Sequence, residues 1–209
     1  SDTLGGDDPY SASKAATELI CRAYQRSIFR GPREIRLATM RAGNVIGGGD
    51  WSYHRLVPDC VRSFRRGASV VLRRPSATRP WQFVLEPLRG YMQLAMALDR
   101  DAGFVGPWNF GPPVDHRATV SRVADVLVNA LGSGGVEVGA SDFPESLVLQ
   151  LDSSQAEDRL GWRTELSLEE ALAATADWYV RQHRSQDASM LDHSLTQLRA
   201  YEKRVSRTP

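Results

Sequence analysis

Apolar residues recur at helical spacing over residues 10–29, with Ala16, Leu19, Ile20, Ala23, Tyr24 and Ile28 on one side and Arg22 and Arg26 on the other. Pro9 suits the first turn of that helix, where its missing N–H would have no partner anyway, and Gly31-Pro32 closes it. Residues 34–41 carry Ile35, Leu37 and Met40 and predict a short strand. That strand runs into Ala42-Gly43-Asn44-Val45-Ile46-Gly47-Gly48-Gly49-Asp50-Trp51, a glycine-rich loop of the kind found at the carboxyl edge of a parallel sheet. Residues 56–66 read as a helix with Pro58 in its first turn and Gly67 at its end; residues 69–72 read as a β-branched strand. Residues 73–83 read as a loop that mixes Arg73, Arg74 and Arg79 with Trp81.

A further helix opens at Glu86-Pro87, followed by a brief strand bounded by Gly106 and Gly111. Thr119 or Ser121 caps a helix that ends at Gly132, and residues 136–138 and 147–151 are short strand candidates. Ser153 or Ser154 starts a small helix that stops at Gly161, and Ser167-Leu168-Glu169-Glu170 has the form of a capping box opening a helix through Trp178 and Tyr179. Beyond about residue 182 the chain turns polar, with an amphipathic trace of Leu191, Leu195, Leu198 and Tyr201 that fits a docking helix or a disordered tail. Strands alternating with helices predict an α/β fold with parallel pairing.

The 209 residues are 42% apolar, enough for a core, and the net charge of +1 with mixed signs offers no electrostatic case for nucleic acid or a membrane surface. No apolar run approaches the ~20 residues of a membrane span, and residues 1–8 do not read as a signal peptide, so a cytoplasmic setting is expected. Cys21 and Cys60 fall on the apolar sides of helices and are expected to be small buried hydrophobes. His54, His116, His183 and His193 have no Cys or carboxylate at ligand spacing, so no metal site is expected. Asp50, Asp59 and Glu86 are expected as caps or solvated pairs.

The chemistry centres on Asp8-Pro9-Tyr10-Ser11-Ala12-Ser13-Lys14. A helix there sets Tyr10 and Lys14 one turn apart on one face. A free tyrosine hydroxyl ionises near pH 10, and bringing one to about 7 takes roughly 4 kcal/mol, of which a nearby ammonium supplies part. Lys14 and Lys203 are the only lysines in a chain that otherwise carries arginine, so a compact ammonium stands at this position where a guanidinium is the habit. Arg73, Arg74 and Arg79 with Trp81 suit a phosphorylated ligand with a flat ring.

Together with Gly47-Gly48-Gly49-Asp50-Trp51, Arg55-Leu56-Val57-Pro58-Asp59, Ala77-Thr78-Arg79-Pro80-Trp81-Gln82 and Trp108-Asn109-Phe110-Gly111-Pro112, this stretch resembles the extended short-chain dehydrogenase/reductase family. The likeness is greatest to its nucleotide-sugar 4,6-dehydratases, those of CDP-linked glucose above all, and covers about residues 1–182. The resemblance implies NAD as cofactor, Tyr10 as the base at the sugar 4-hydroxyl, Lys14 at the nicotinamide ribose and Ala42 near the cofactor. It further implies Asn44, Arg55, Arg79 and Trp81 as contacts to a CDP-sugar or another nucleotide sugar, and a homodimer built on the Tyr10 and Glu86 helices. Under it, residues 1–47 hold Rossmann elements and residues 48–182 mainly a small α/β sugar-nucleotide domain. Residues 74–111 return to the Rossmann part, and residues 183–209 are a tail. No Gly-x-Gly-x-x-Gly turn occurs, so the chain is expected to be the C-terminal part of an extended Rossmann fold with the first Rossmann half missing. A different nucleotide-sugar epimerase or dehydratase, or an inactive remnant that only binds a nucleotide sugar or a partner, are the alternative readings.

Overall fold

The computed structural model describes residues 4–30, 35–132, 134–140, 148–185 and 189–207. Helix α1 (Pro9–Ser27) begins where Asp8 accepts hydrogen bonds from the Tyr10 and Ser11 amides, with Pro9 as its first residue. The expected helix breaker Gly31-Pro32 and the strand start at Glu34 lie outside the described residues. Strand β1 (Ala38–Ala42) pairs in parallel with β5 (Gly106–Phe110). After Gly43 the chain passes to a second sheet, in which β2 (Asn44–Ile46) lies parallel to β4 (Thr78–Phe83), and β4 antiparallel to β6 (Arg117–Thr119). Strands β3 (Val70–Leu72) and β7 (Val136–Val138) form a third, parallel pair. Helices α2 (Leu56–Arg65), α3 (Leu85–Arg100), α4 (Val120–Leu131), α5 (Ser154–Leu160), α6 (Leu168–Arg184) and α7 (Leu191–Val205) complete the chain.

Two apolar clusters hold these layers. The larger gathers Cys60 and Val61 of α2, Val123 and Leu127 of α4, Leu172 and Tyr179 of α6, and Trp81 and Phe83 of β4. The smaller joins Leu94 of α3, Trp108 and Phe110 of β5, and Trp162 after α5. Phe110 meets Trp162 edge-on at 5.1 Å.

Several expectations are corrected. Residues 78–83 form a strand and not a loop. Pro80 disguises it, since proline cannot donate to a ladder, but here it falls where the pairing of β4 passes from β6 to β2. Residues 141–147 lie outside the description, and of the expected 147–151 strand only Val148 makes a single bridge, to Thr78. The apolar side of α1 buries nothing among the described residues: Leu19, Ile20 and Tyr24 are exposed, as is Ile28 just after the helix. Cys60 is buried as expected, whereas Cys21 is half-buried. Glu86 is not a solvated cap: it is 1% exposed and accepts from Tyr201 Oη at 2.6 Å and from the Glu165 and Leu166 amides at 3.0 and 2.9 Å.

The expected capping box is present, Ser167 and Glu170 bonding reciprocally at the start of α6. The polar C-terminal trace is a docked helix. Tyr201 of α7 is buried, Gln197 Nε2 donates to the Ala174 carbonyl at 2.8 Å, and Arg204 pairs with Glu170. No helix of the described residues is long and apolar enough to cross a membrane.

Candidate active site

The capped start of α1 puts Tyr10 in its first turn, 71% exposed, at the rim of a cavity of about 560 Å³. Lys14 stands one turn further along, its ammonium 5.5 Å from the centre of the Tyr10 ring. With no buried residue of its own, α1 is tied to the sheet by Glu18, which accepts from Thr39 Oγ1 and from Arg41 Nε, both at 2.8 Å. The Arg41 guanidinium holds the Glu18 carboxyl below the ordinary carboxylate range, against the opposing pull of partial burial.

The cavity lies at the carboxyl ends of β1, β2 and β3, the side of an α/β sheet on which ligands bind. Ala42 ends β1, Asn44 opens β2 in register with Trp81 of β4, and Arg73 and Arg74 follow β3. Gly43, between β1 and β2, is required by a close approach: a Cβ there would stand 2.6 Å from the Pro80 carbonyl oxygen. Arg79 and Trp81 share one face of β4 by the two-residue alternation of a strand. Arg55 caps α2 without a side-chain bond, and the first turn of α2 (Leu56, Val57, Pro58) faces the cavity. The positive end of that helix dipole and four guanidinium groups, of Arg55, Arg73, Arg74 and Arg79, favour an anion here.

Two carboxylates temper that field. Asp59 pairs with Arg62, and Asp50 faces Arg55 at 3.6 Å. Burial opposes ionisation of Asp50, yet the Ser52 amide and the guanidinium groups of Arg55 and Arg62 hold its carboxyl below the usual range. Among the described residues no group of three His, Cys, Asp or Glu stands close enough to hold a metal ion.

Six of the residues singled out from the sequence thus meet at one cavity: Tyr10, Ala42, Asn44, Arg55, Arg79 and Trp81. Lys14 lies beside it through Tyr10. Trp81 is not a free plate on a loop. Its indole is 5% exposed and donates to the Ala118 carbonyl at 3.2 Å, so it forms part of the wall. Arg79, 6% exposed, is likewise set into the sheet. Sequence reasoning missed the apolar lining from Leu72, Val120 and Leu149, which comes from three separate parts of the chain and carries no local signal. Arg73 and Arg74 were visible as a basic pair, but nothing in the sequence put them in one cavity with Tyr10.

A family model for the NAD dependent epimerase/dehydratase family matches residues 2–105, about half of the chain. The chain is 40% identical over 193 residues to a CDP-glucose 4,6-dehydratase of Salmonella typhimurium, covering 89% of this chain and 54% of that protein. The chain belongs to the NAD-dependent epimerase/dehydratase family. It superposes with a TM-score of 0.74 and 26% identity on a dTDP-glucose 4,6-dehydratase double mutant from Streptomyces venezuelae solved with NAD bound, over 88% of this chain and 54% of that one. A UDP-glucuronic acid 4-epimerase from Bacillus cereus, in complex with UDP-glucuronic acid and NAD, shares the fold at a TM-score of 0.71 and 18% identity, over 88% of this chain and 58% of its own. The chain spans about half the length of the relatives it matches.

The fold is therefore that of the short-chain dehydrogenase class to which these dehydratases and epimerases belong, and the family is NAD-dependent. The residues present fit one end of that cofactor. A phenol and an ammonium one helical turn apart at the cavity rim are able to hydrogen-bond ribose hydroxyls such as that cofactor carries. No glycine-rich dinucleotide turn occurs in the sequence to meet the pyrophosphate.

Proposed function

We propose that this chain supplies the substrate side and the proton-transfer pair of an NAD-dependent nucleotide-sugar 4,6-dehydratase that converts CDP-glucose to CDP-4-keto-6-deoxyglucose. The observation that carries the reading is that the Tyr10 phenol and the Arg55, Arg73, Arg74 and Arg79 guanidiniums line one cavity. In this reading Arg79, Arg55 and the α2 N-terminus hold the diphosphate, Asn44 steadies it from the sheet, and the hexose extends towards Tyr10. Trp81 backs that pocket from the sheet.

Bound NAD supplies a hydride acceptor. Tyr10 takes the proton of the sugar 4-hydroxyl, and the Lys14 ammonium stabilises the negative charge on the phenolate oxygen that receives it. The choice of CDP rests on the 40% identity to the Salmonella dehydratase. We further propose that the whole enzyme brings the dinucleotide-binding elements that this cavity faces. The two-stranded β1–β5 sheet supports that reading.

Calorimetric titration of the chain with CDP-glucose, CDP and UDP-glucose tests the binding half. CDP-glucose is expected to bind tightest, and no heat from any of the three rejects a nucleotide-sugar site. The chemical half is tested in a chimera that carries this chain in place of the matching residues of the Salmonella enzyme. Release of a 4-keto product from CDP-glucose is expected; a 4-epimerised sugar would instead assign the chain to the epimerases. Tyr10→Phe in the chimera is expected to abolish product while leaving affinity within a few fold.

A further inference from the structure

The loop at residues 48–55 carries His54 and Arg55 into the cavity, and it is fastened from behind by α6, a helix with no side chain on the cavity wall. Gly48 lies against the Trp178 indole so closely that a Cβ would stand 2.1 Å from Cγ. Tyr179, 1% exposed, donates its hydroxyl to the Asp50 carbonyl at 2.7 Å and meets the Trp51 ring edge-on at 5.3 Å. Arg62 of α2 donates to the Trp51 and Ser52 carbonyls, each at 3.0 Å. The Asp50 carboxylate accepts the Ser52 amide at 2.9 Å and faces Arg55.

At the end of this clamped stretch His54 has φ 62°, the one non-glycine residue with positive φ among the described residues. A histidine stays in that region only when its surroundings hold it there. We infer that Tyr179 is a positioning residue for the nucleotide-sugar site, setting through the Asp50 main chain where His54 and Arg55 stand in the cavity. The inference rests on the nucleotide-sugar reading above.

The hydroxyl, not the ring, carries this role. The ring belongs to the large core cluster and packs on Trp51 with or without the oxygen. Burial, with the Asp50 charge nearby, pushes the phenol up to about 12, so it remains a donor throughout the working pH range. Losing that donor frees the Asp50 carbonyl, and with it the carboxylate that faces Arg55. Trp178 extends the linkage outward, its Nε1 donating to Ser194 Oγ of α7 at 3.0 Å.

A double-mutant cycle tests the inference, with CDP-glucose titrated into wild type, Tyr179→Phe, Arg55→Ala and the double variant. Tyr179→Phe is expected to weaken binding roughly tenfold, the scale of one lost buried hydrogen bond. In the Arg55→Ala background the same change is expected to cost less than twofold. Additive losses would assign Tyr179 a purely structural role and overturn the inference, as would unchanged affinity in Tyr179→Phe. Faster amide exchange at residues 51–55 in ligand-free Tyr179→Phe is the accompanying expectation, and unchanged exchange there also overturns it. Should that variant fail to fold, Arg62→Gln opens the same clamp from the α2 side and is expected to show the same coupling to Arg55. A wild type that binds none of the nucleotides removes the underlying reading as well; a wild type that binds, with additive variants, removes this inference alone.

Discussion

The buried carboxyl of Glu86 joins three parts of the chain, and its removal gives a sharp test of how the C-terminal helix is held. Glu86 sits in the first turn of α3 and accepts from Tyr201 of α7 and from two consecutive amides, of Glu165 and Leu166, ahead of α6. Arg89, one turn on, stands 4.0 Å from Glu86 and 3.3 Å from Glu165. Glu86→Ala leaves two part-buried amides and the buried Tyr201 phenol without their acceptor. At about 1–3 kcal/mol for each buried donor left unsatisfied, and with some relaxation, the loss should be roughly 3–6 kcal/mol. A domain of this kind is stable by only about 5–15 kcal/mol, so the change removes a large share.

Urea unfolding followed by circular dichroism measures it. With an m-value of about 2 kcal/mol/M the midpoint should fall by roughly 2 M. Tyr201→Phe removes one of the three bonds and keeps the ring, and should lose only about 1–2 kcal/mol. A loss below about 1 kcal/mol for Glu86→Ala would refute the account, because water must then replace the carboxylate at no cost. The pH dependence has a definite sign. Burial pushes the Glu86 carboxyl above its ordinary range, against the hydrogen bonds from Tyr201, Leu166 and Glu165. Its contribution is therefore full below the unfolded value near 4.5 and declines as pH rises through the elevated folded value. The stability advantage of wild type over Glu86→Gln should shrink between pH 4 and pH 7; an advantage that grows would mean that the charged form is the one the fold favours.

Glu18 should behave in the opposite sense. Its folded carboxyl is depressed by Arg41, so its hold on Thr39 and Arg41 is present above the unfolded value near 4.5 and lost as pH falls through the depressed one. Amide protection factors in α1, taken relative to the intrinsic exchange rate at each pH, should fall under acid in wild type, and already at pH 7 in Glu18→Gln. Cys60 is fully buried with its thiol pushed up to about 12 by desolvation, whereas Cys21 is half-buried. A thiol reagent at pH 8 should label Cys21 quickly and Cys60 only on unfolding; fast labelling of both would contradict the packing of α2 on α4. We propose that the exposed Leu19, Ile20 and Tyr24 of α1 and Leu88, Met92 and Met96 of α3 pair with a second copy. Sedimentation should give a dimer that Ile20→Glu or Met92→Glu converts to a monomer, and a monomeric wild type would exclude the pairing.

Local features of this chain are legible without coordinates because their physics is local. The Asp8-Pro9 start of α1 and the Ser167–Glu170 capping box depend on residues within one turn of each other. The apolar periods that mark the helices are likewise properties of a single segment. Six of the residues gathered at the cavity are also legible, through a resemblance whose most telling stretches are the Tyr10, Gly47–Trp51 and Ala77–Gln82 runs.

Contacts between distant segments decided the rest. Residues 78–83 are a strand because β2 and β6 pair with them on either side of Pro80, and no local pattern overrides the proline. Glu86 is buried because two loop amides and Tyr201 arrive to satisfy it, and a carboxylate at a helix start looks the same in sequence whether or not they do. The backing of the His54–Arg55 stretch by Trp178 and Tyr179 is of the same kind. Sequence alone determined most of the helical segments and which side chains are candidates for chemistry, since these are read from residue type, short spacing and the runs that carry the resemblance. Tertiary structure decided which faces are covered and which of those side chains meet, since burial and hydrogen-bond satisfaction are properties of pairs of segments that the chain brings together only on folding.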